Sequence, residues 1–270
     1  IGRCLASVFA QASGPELSGG RRVIVAANGC SDGTVTEAEA MHTVAEDAGW
    51  KLDILDIAEG GKPNAFNRGD AAAGAMAPGD IRIYLDADIE MESDLLGQIT
   101  RALGREAPAY ASGRMVVTEA QSWVTRRFMS LWRRVPFMTT SGPTGAGLFA
   151  VNSAGRARWD AFPPIIADDT YVRLQFTPDE RIEVAAAYFW PPIEGFAALV
   201  KVRRRQDAGG QQIRALYPAL FKNEGKTPVG PLDHLQLFLG GPLDYAVYIT
   251  VMLVVKFGPD RGQQAWSRGR

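Results

Sequence analysis

Two acids one residue apart, Asp86 and Asp88, close the apolar run Ile81-Arg82-Ile83-Tyr84-Leu85. In a strand, alternate side chains share a face, so both carboxylates are expected to point together beyond its carboxyl end. Hard oxygen ligands in that position suit Mg2+ or Mn2+ carrying a diphosphate, because such ions are held by one or two protein acids plus substrate phosphates. The same pattern equally suits a solvated loop or the start of a helix. The surrounding elements must therefore decide.

Those elements alternate. The chain opens as an amphipathic helix with Leu5, Val8 and Phe9 on one side, and a Gly/Ser/Pro turn is expected from Ser13 to Gly20. Arg22 to Ala27 reads as a buried strand that runs into the dense loop Asn28-Gly29-Cys30-Ser31-Asp32-Gly33-Thr34. A helix is expected from about Thr36 to Ala48 and a strand from Lys51 to Ile57. Gly60-Gly61-Lys62-Pro63 then turns the chain into a helix through Ala65, Phe66 and the alanines near 71 to 73. The strand ending at Asp88 follows, then a helix capped by Ser93 or Asp94 with Leu95, Leu96, Ile99, Ala102 and Leu103 as its apolar stripe. This rhythm implies a mainly parallel sheet whose ligands bind outside the carboxyl ends of its strands. The Asn28 to Thr34 loop and the two acids would share that crevice.

Past Arg105 the rhythm changes. A strand is expected over Tyr110 to Val117, then a basic helix from Trp123 to Arg134, a Gly/Thr/Pro loop from Pro136 to Gly147, and a short strand from Leu148 to Val151 ending at an Asn152/Ser153 cap. Asp168-Asp169 opens a helical stretch to Phe176, and Arg181 to Phe189 reads as another strand before Pro191-Pro192. Two neighbouring acids there also suit simple capping of that helix.

A chain of 270 residues fits one large α/β domain or one domain with a small appendage. Its net charge of −1 gives no case for nucleic acid, although Arg181 to the end carries 12 Lys/Arg against 7 Asp/Glu and so a local basic surface. Two cysteines, Cys4 and Cys30, are too few for a disulfide framework and lack zinc-ligand spacing, which fits a reducing, cytoplasmic setting. The most apolar late segment, Tyr245 to Val255, is well short of the roughly 20 residues a membrane-spanning helix needs.

Taken in order, the motifs resemble the family-2 glycosyltransferases, inverting nucleotide-sugar enzymes. Asn28 to Thr34 is similar to the family's loop after its second strand. Gly61-Lys62-Pro63-Asn64-Ala65-Phe66-Asn67-Arg68-Gly69 is similar to its Gly-Lys-x-x-Ala-x-Asn-x-Gly segment, and Leu85-Asp86-Ala87-Asp88 to its metal-binding region. Gly145-Ala146-Gly147-Leu148-Phe149-Ala150 and Ala167-Asp168-Asp169 resemble the acceptor loop and the acidic pair that ends in the catalytic base. The resemblance implies an α/β fold of the GT-A type, a Rossmann-like, mainly parallel sheet flanked by helices. We expect a catalytic domain over residues 1–200, lacking the family's first strand, and a helical C-terminal extension over 201–270.

It further implies Mg2+ or Mn2+ on Asp88 and Asp86, Asp169 as catalytic base, and Gly145, Gly147 and Asp168 on the acceptor side. Asn28, Asp32, Lys62, Asp86, Arg203 and Arg205 are the expected contacts of a nucleoside-diphosphate sugar. Departures from the family pattern fall at Ala27, where an acid is common, and at Asp168, where the family's first acid stands. The Gln-x-x-Arg-Trp motif of processive synthases is absent, and Val202-Arg203-Arg204-Arg205-Gln206 occupies a comparable place, so one sugar per event is expected. Lys62 equally suits an exposed turn, Asp32 a self-sufficient loop, and Arg203 to Arg205 a solvated basic face.

The acceptor is expected to be a glycan or a lipid-linked hydroxyl. The Trp123 to Arg134 helix and the Leu235 to Phe257 tail combine apolar, aromatic and basic residues, which suits either packing or peripheral contact with the cytoplasmic face of an inner membrane. Two other readings stand beside transfer: a sugar-nucleotide pyrophosphorylase, whose Gly-rich phosphate loop is not found here, and a non-catalytic nucleotide-binding or scaffold protein.

Overall fold

The structure, a computed structural model, describes residues 1–12, 20–140 and 142–259. Of the turn expected from Ser13 to Gly20, only Gly20 falls within them. Helix α1 (Gly2–Phe9) buries Cys4, Leu5, Val8 and Phe9, the face its spacing announces. Strand β1 (Arg22–Asn28) pairs in parallel with β2 (Lys51–Ile57), Arg22 opposite Lys51 and Asn28 opposite Ile57. Between them the single expected helix is two, α2 (Thr34–Glu39) and α3 (His42–Asp47). The break follows from Met41 N–H bonding to Ala38 C=O, three residues back, which tightens the turn between the two helices.

Helix α4 (Lys62–Ala73) starts with Pro63 in its first turn, where a missing N–H costs nothing. Strand β3 (Ile81–Leu85) follows, then the two-residue β4 (Glu90–Met91) and α5 (Leu95–Leu103), whose buried Leu95, Leu96, Ile99 and Leu103 are the stripe read from sequence. Strand β5 spans Tyr110–Val117 and helix α6 Trp123–Trp132, with Ser122 as its side-chain cap. Part of the expected loop is a short helix, α7 (Pro136–Thr140), again opened by proline. Next come β6 (Leu148–Asn152), α8 (Ser153–Arg156), α9 (Asp168–Arg173) and β7 (Arg181–Trp190). Helix α10 (Phe196–Leu216) runs through position 200, and α11 (Pro231–Leu239) and α12 (Pro242–Phe257) complete the described chain.

The α/β class holds, with a difference in the strands. Five of them form a mixed sheet in the order β3-β6-β5-β7-β4, in which only β5 and β7 run parallel. The mainly parallel pairing expected from the early rhythm is confined to β1–β2 and β5–β7, because β6 enters antiparallel between β3 and β5. All five residues of β6 are buried, as a continuous apolar run between two neighbours requires. One core lies where α1 and α5 cover the sheet, and a second, aromatic core joins Tyr84, Tyr110, Phe149, Phe162 and Phe176 on its other side. Helices α6, α10 and α12 close a third around Phe128, Leu199 and Val251.

Candidate functional site

Strand β3 stops at Leu85, before both acids. Asp86 N–H still continues the ladder by donating to Gly147 C=O (2.8 Å), but its own C=O accepts from Ile89 N–H (3.2 Å) and so closes a turn. Asp86 and Asp88 therefore sit on a turn and not on one strand face. Ile89, fully buried, pins that turn to the core. Asp86 is half-buried and Asp88 exposed. Beneath them Cys4 Sγ donates to Asp86 C=O (3.6 Å). Burial pushes the Cys4 thiol up to about 12, with the amino group of Ile1 opposing and the charges of Asp88, Asp86 and Glu90 adding, which leaves the thiol inert.

Lys62 connects this turn to the second acidic pair. Its Nζ lies 2.8 Å from Asp86 Oδ1 and 3.2 Å from Asp168 Oδ2, and 5.4 Å from the centre of the Phe66 ring. Burial disfavours the ammonium, but Asp86, Asp168 and Asp169 outweigh it and hold its pKa above the ordinary lysine range. Helix α9 begins at Asp168 itself, whose carboxylate makes no cap bond and is directed to Lys62. Burial raises Asp168 to about 6, with Asp169 and Asp86 adding and Lys62 opposing. Asp169 is the more accessible of the two, and its Oδ1 accepts from Thr170 N–H (2.6 Å).

The other expected residues fall into two groups. Asn28 Oδ1 accepts from Gly61 N–H (2.9 Å), so it fixes the turn that aims Lys62. Gly145 and Gly147 both have positive φ, 73° and 82°. A Cβ on Gly145 would fall on the Tyr110 hydroxyl, and one on Gly147 would lie 2.7 Å from Ile89 Cδ1. Asp32, by contrast, is exposed and binds Thr34 N–H, a local turn bond that organises its own loop.

The arginines of α10 diverge. Arg203 donates to Gln206 Oε1 and Asp207 Oδ1 on its own helix, and Arg204 reaches Val254 C=O at the end of α12. Arg205 shares a helical stripe with Gly209 and Gln212. That stripe faces the segment before α9, since a Cβ on Gly209 would lie 2.9 Å from Ala167 Cβ and Gln212 accepts from Ile166 N–H. Arg205 thus lies one helical turn from the residues that meet the segment before α9, and Arg203 is off their stripe.

Two further residues build the site: Asn67, which the sequence offered only as a position of the Lys62 segment, and Asp70, which sequence reading missed. Asn67 donates to Phe162 C=O (2.9 Å) and accepts from Phe162 N–H (2.7 Å), clamping the segment before Asp168 onto α4. Asp70 binds Arg82 and Arg156, each at 2.9 Å, and accepts from the Tyr84 hydroxyl, tying α4 to β3 and α8. Both lie on the helix that Lys62 starts, and a polar residue on its inward face was the available signal.

Oxygen donors suit a divalent ion here: Asp86 already accepts a cation, and Asp88 is open to solvent. Among the described residues no group of three or more His, Cys, Asp or Glu side chains is arranged as a metal site. The protein would supply the two acids of the turn, with a substrate diphosphate completing the shell.

No curated protein matches the chain at a significant level. Two solved structures with which it shares a likeness are S. aureus TarS 1-349 in complex with UDP (14% identity, TM-score 0.48, 97% of this chain and 89% of that one) and S. aureus TarS (13%, 0.47, 93% and 52%). The model of the family described as Glycosyl transferase family 2 matches residues 1–157, a stretch that holds the Asn28 loop, the Lys62 segment, the Asp86 turn and the Gly145 loop. Those are four of the motifs that carry the resemblance, the Asp168-Asp169 pair lying beyond the match, and over this majority of its length the chain belongs to glycosyl transferase family 2 and is a glycosyltransferase.

Proposed function

We propose that the protein moves one sugar from a nucleoside-diphosphate sugar to an acceptor hydroxyl with inversion at the anomeric carbon. The observation that carries this reading is Lys62, one nitrogen touching both Asp86 on the turn after β3 and Asp168 at the start of α9. In such a reaction the acceptor oxygen attacks opposite the leaving group, and the bond from sugar to diphosphate breaks with its electron pair on the departing oxygen. The hydroxyl proton goes to a base. Asp169 is that base, a role worth about 10²- to 10⁴-fold, because Asp168 is buried on Lys62 whereas Asp169 is reachable.

The two ends of the reaction then have separate attendants. Lys62 and Arg205 offset charge on the diphosphate, and Asn28 and Asp32 shape the loop beside it. Asp86 and Asp88 would hold Mg2+ or Mn2+, which when bound stabilises charge on the leaving group. Gly145 and Gly147 keep the acceptor loop close to Asp86, and Asp168 fixes Lys62 between donor and acceptor. The acceptor is a glycan or a lipid-linked hydroxyl, and the helices α10 to α12 form an appended unit that brings the protein to a membrane surface.

The family match ends at residue 157, so the base assignment stands on geometry. Product mass after incubation with UDP-, GDP- and dTDP-sugars tests transfer, and the anomeric proton coupling of the product tests inversion. Asp169→Asn is expected to bind donor as wild type does and to lose transfer by at least about 10²-fold. Equal turnover by wild type and variant would reject Asp169 as base.

A further inference from the structure

Lysine at the first position of α4 stands at the end of a helix where the peptide dipole favours anions. What holds Lys62 there is carboxylate from two other elements. Its ammonium is bonded to Asp86 and Asp168, Asp169 adds a third negative charge, and the face of Phe66 lies against it. Asp86 is also one of the two acids that a divalent ion would require. Two cations therefore have claims on one carboxylate.

We propose that Lys62 occupies the cation position of the donor site until donor arrives, so that metal ion and nucleoside diphosphate bind together and not singly. This rests on the metal-assisted reading above. An ammonium at 2.8 Å from Asp86 repels a divalent ion approaching the same oxygens. The diphosphate changes the balance, because its oxygens offer Lys62 a new partner and release Asp86 to the ion. Room for that turn exists: the Lys62 side chain is 29% exposed, and its flexible four-carbon stem can swing while Asp168 stays buried behind it. Binding of the two ligands is then reciprocally coupled, each raising the affinity of the other by the same factor.

Mn2+ titration followed by electron paramagnetic resonance of the free ion tests the exchange in wild type, Lys62→Met and Lys62→Arg, each with and without whichever of UDP, GDP and dTDP binds. Without nucleotide, Lys62→Met is expected to bind Mn2+ about tenfold more tightly than wild type, whereas Lys62→Arg, which keeps the charge, stays near wild type. Nucleotide should tighten Mn2+ binding in wild type and do so less in Lys62→Met. Equal or weaker Mn2+ binding by Lys62→Met without nucleotide overturns the exchange. Failure of wild type to bind Mn2+ even with nucleotide present overturns instead the metal-assisted reading, so the two failures are distinct. Met keeps an unbranched stem beside Phe66, and thermal melting by circular dichroism checks its fold; Lys62→Gln gives the same comparison if Lys62→Met does not fold.

Discussion

Asp86 shows how a single backbone bond can place a functional side chain. Its N–H is held by Gly147 C=O, and Gly147 can make that approach only without a side chain, since its φ is 82° and Ile89 and Trp190 crowd the space a Cβ would take. Gly147→Ala should therefore cost about 1–3 kcal/mol of stability through left-handed strain and overpacking, and should move the Asp86 turn. Urea unfolding and turnover read the two effects together. An alanine variant with wild-type midpoint and wild-type rate would show that the close approach is dispensable. At this scale the residue types of Asp86, Asp88, Lys62 and Asp168 were legible because charged groups in apolar surroundings stand out. Their mutual contacts were not, since Lys62 and Asp168 lie on helices that no local spacing relates.

Helix α4 is the element on which the site depends. One end carries Lys62, its middle clamps Phe162 through Asn67, and Asp70 near its other end binds Arg82 and Arg156 with side chains about as buried as its own. Removing one partner from such a buried cluster leaves two unpaired cations, which typically costs about 3–5 kcal/mol. Asp70→Ala is thus expected to lower the melting temperature by on the order of 10 °C. A scanning calorimetry trace that superimposes on wild type would refute that role. Helix α9 is anchored from behind in a similar way, through fully buried Arg173 on Glu224 (2.8 Å). The positions of most helices and strands followed from periodicity. The split between α2 and α3 and the short α7 did not, because each is set by one turn of backbone bonding that side-chain spacing does not report.

On the scale of the whole molecule, two sheets and a helical appendage divide the work. Asp244, buried, accepts from Ser130 (2.5 Å) and pairs with Arg127 (3.3 Å), so α12 is fastened to α6 and leaves its other side outward. That side and α11 expose Leu232, Leu235, Phe238, Leu239, Leu243, Leu253 and Phe257, with Lys256 at its end. Among the described residues no helix is long and apolar enough to cross a membrane. An apolar ridge of this kind beside Lys256 suits insertion into the headgroup layer. The protein is expected to float with anionic liposomes, and Leu235→Glu combined with Leu239→Glu to reduce flotation. A wild-type protein that stays at the bottom of the gradient with anionic lipid would end the membrane reading.

Sequence by itself determined the α/β class, the order of the motifs and the family, because apolar periodicity and the chemistry of a few residue types are local properties. The turn that carries Asp86 and Asp88, the antiparallel entry of β6 and the different fates of Arg203, Arg204 and Arg205 were decided only in three dimensions. So was the joining of the two acidic pairs. Asp86 and Asp168 lie far apart along the chain, and nothing local to either says that a lysine from a third element will stand between them. Only packing of α4 against β3 and the segment before α9 brings that ammonium to both carboxylates.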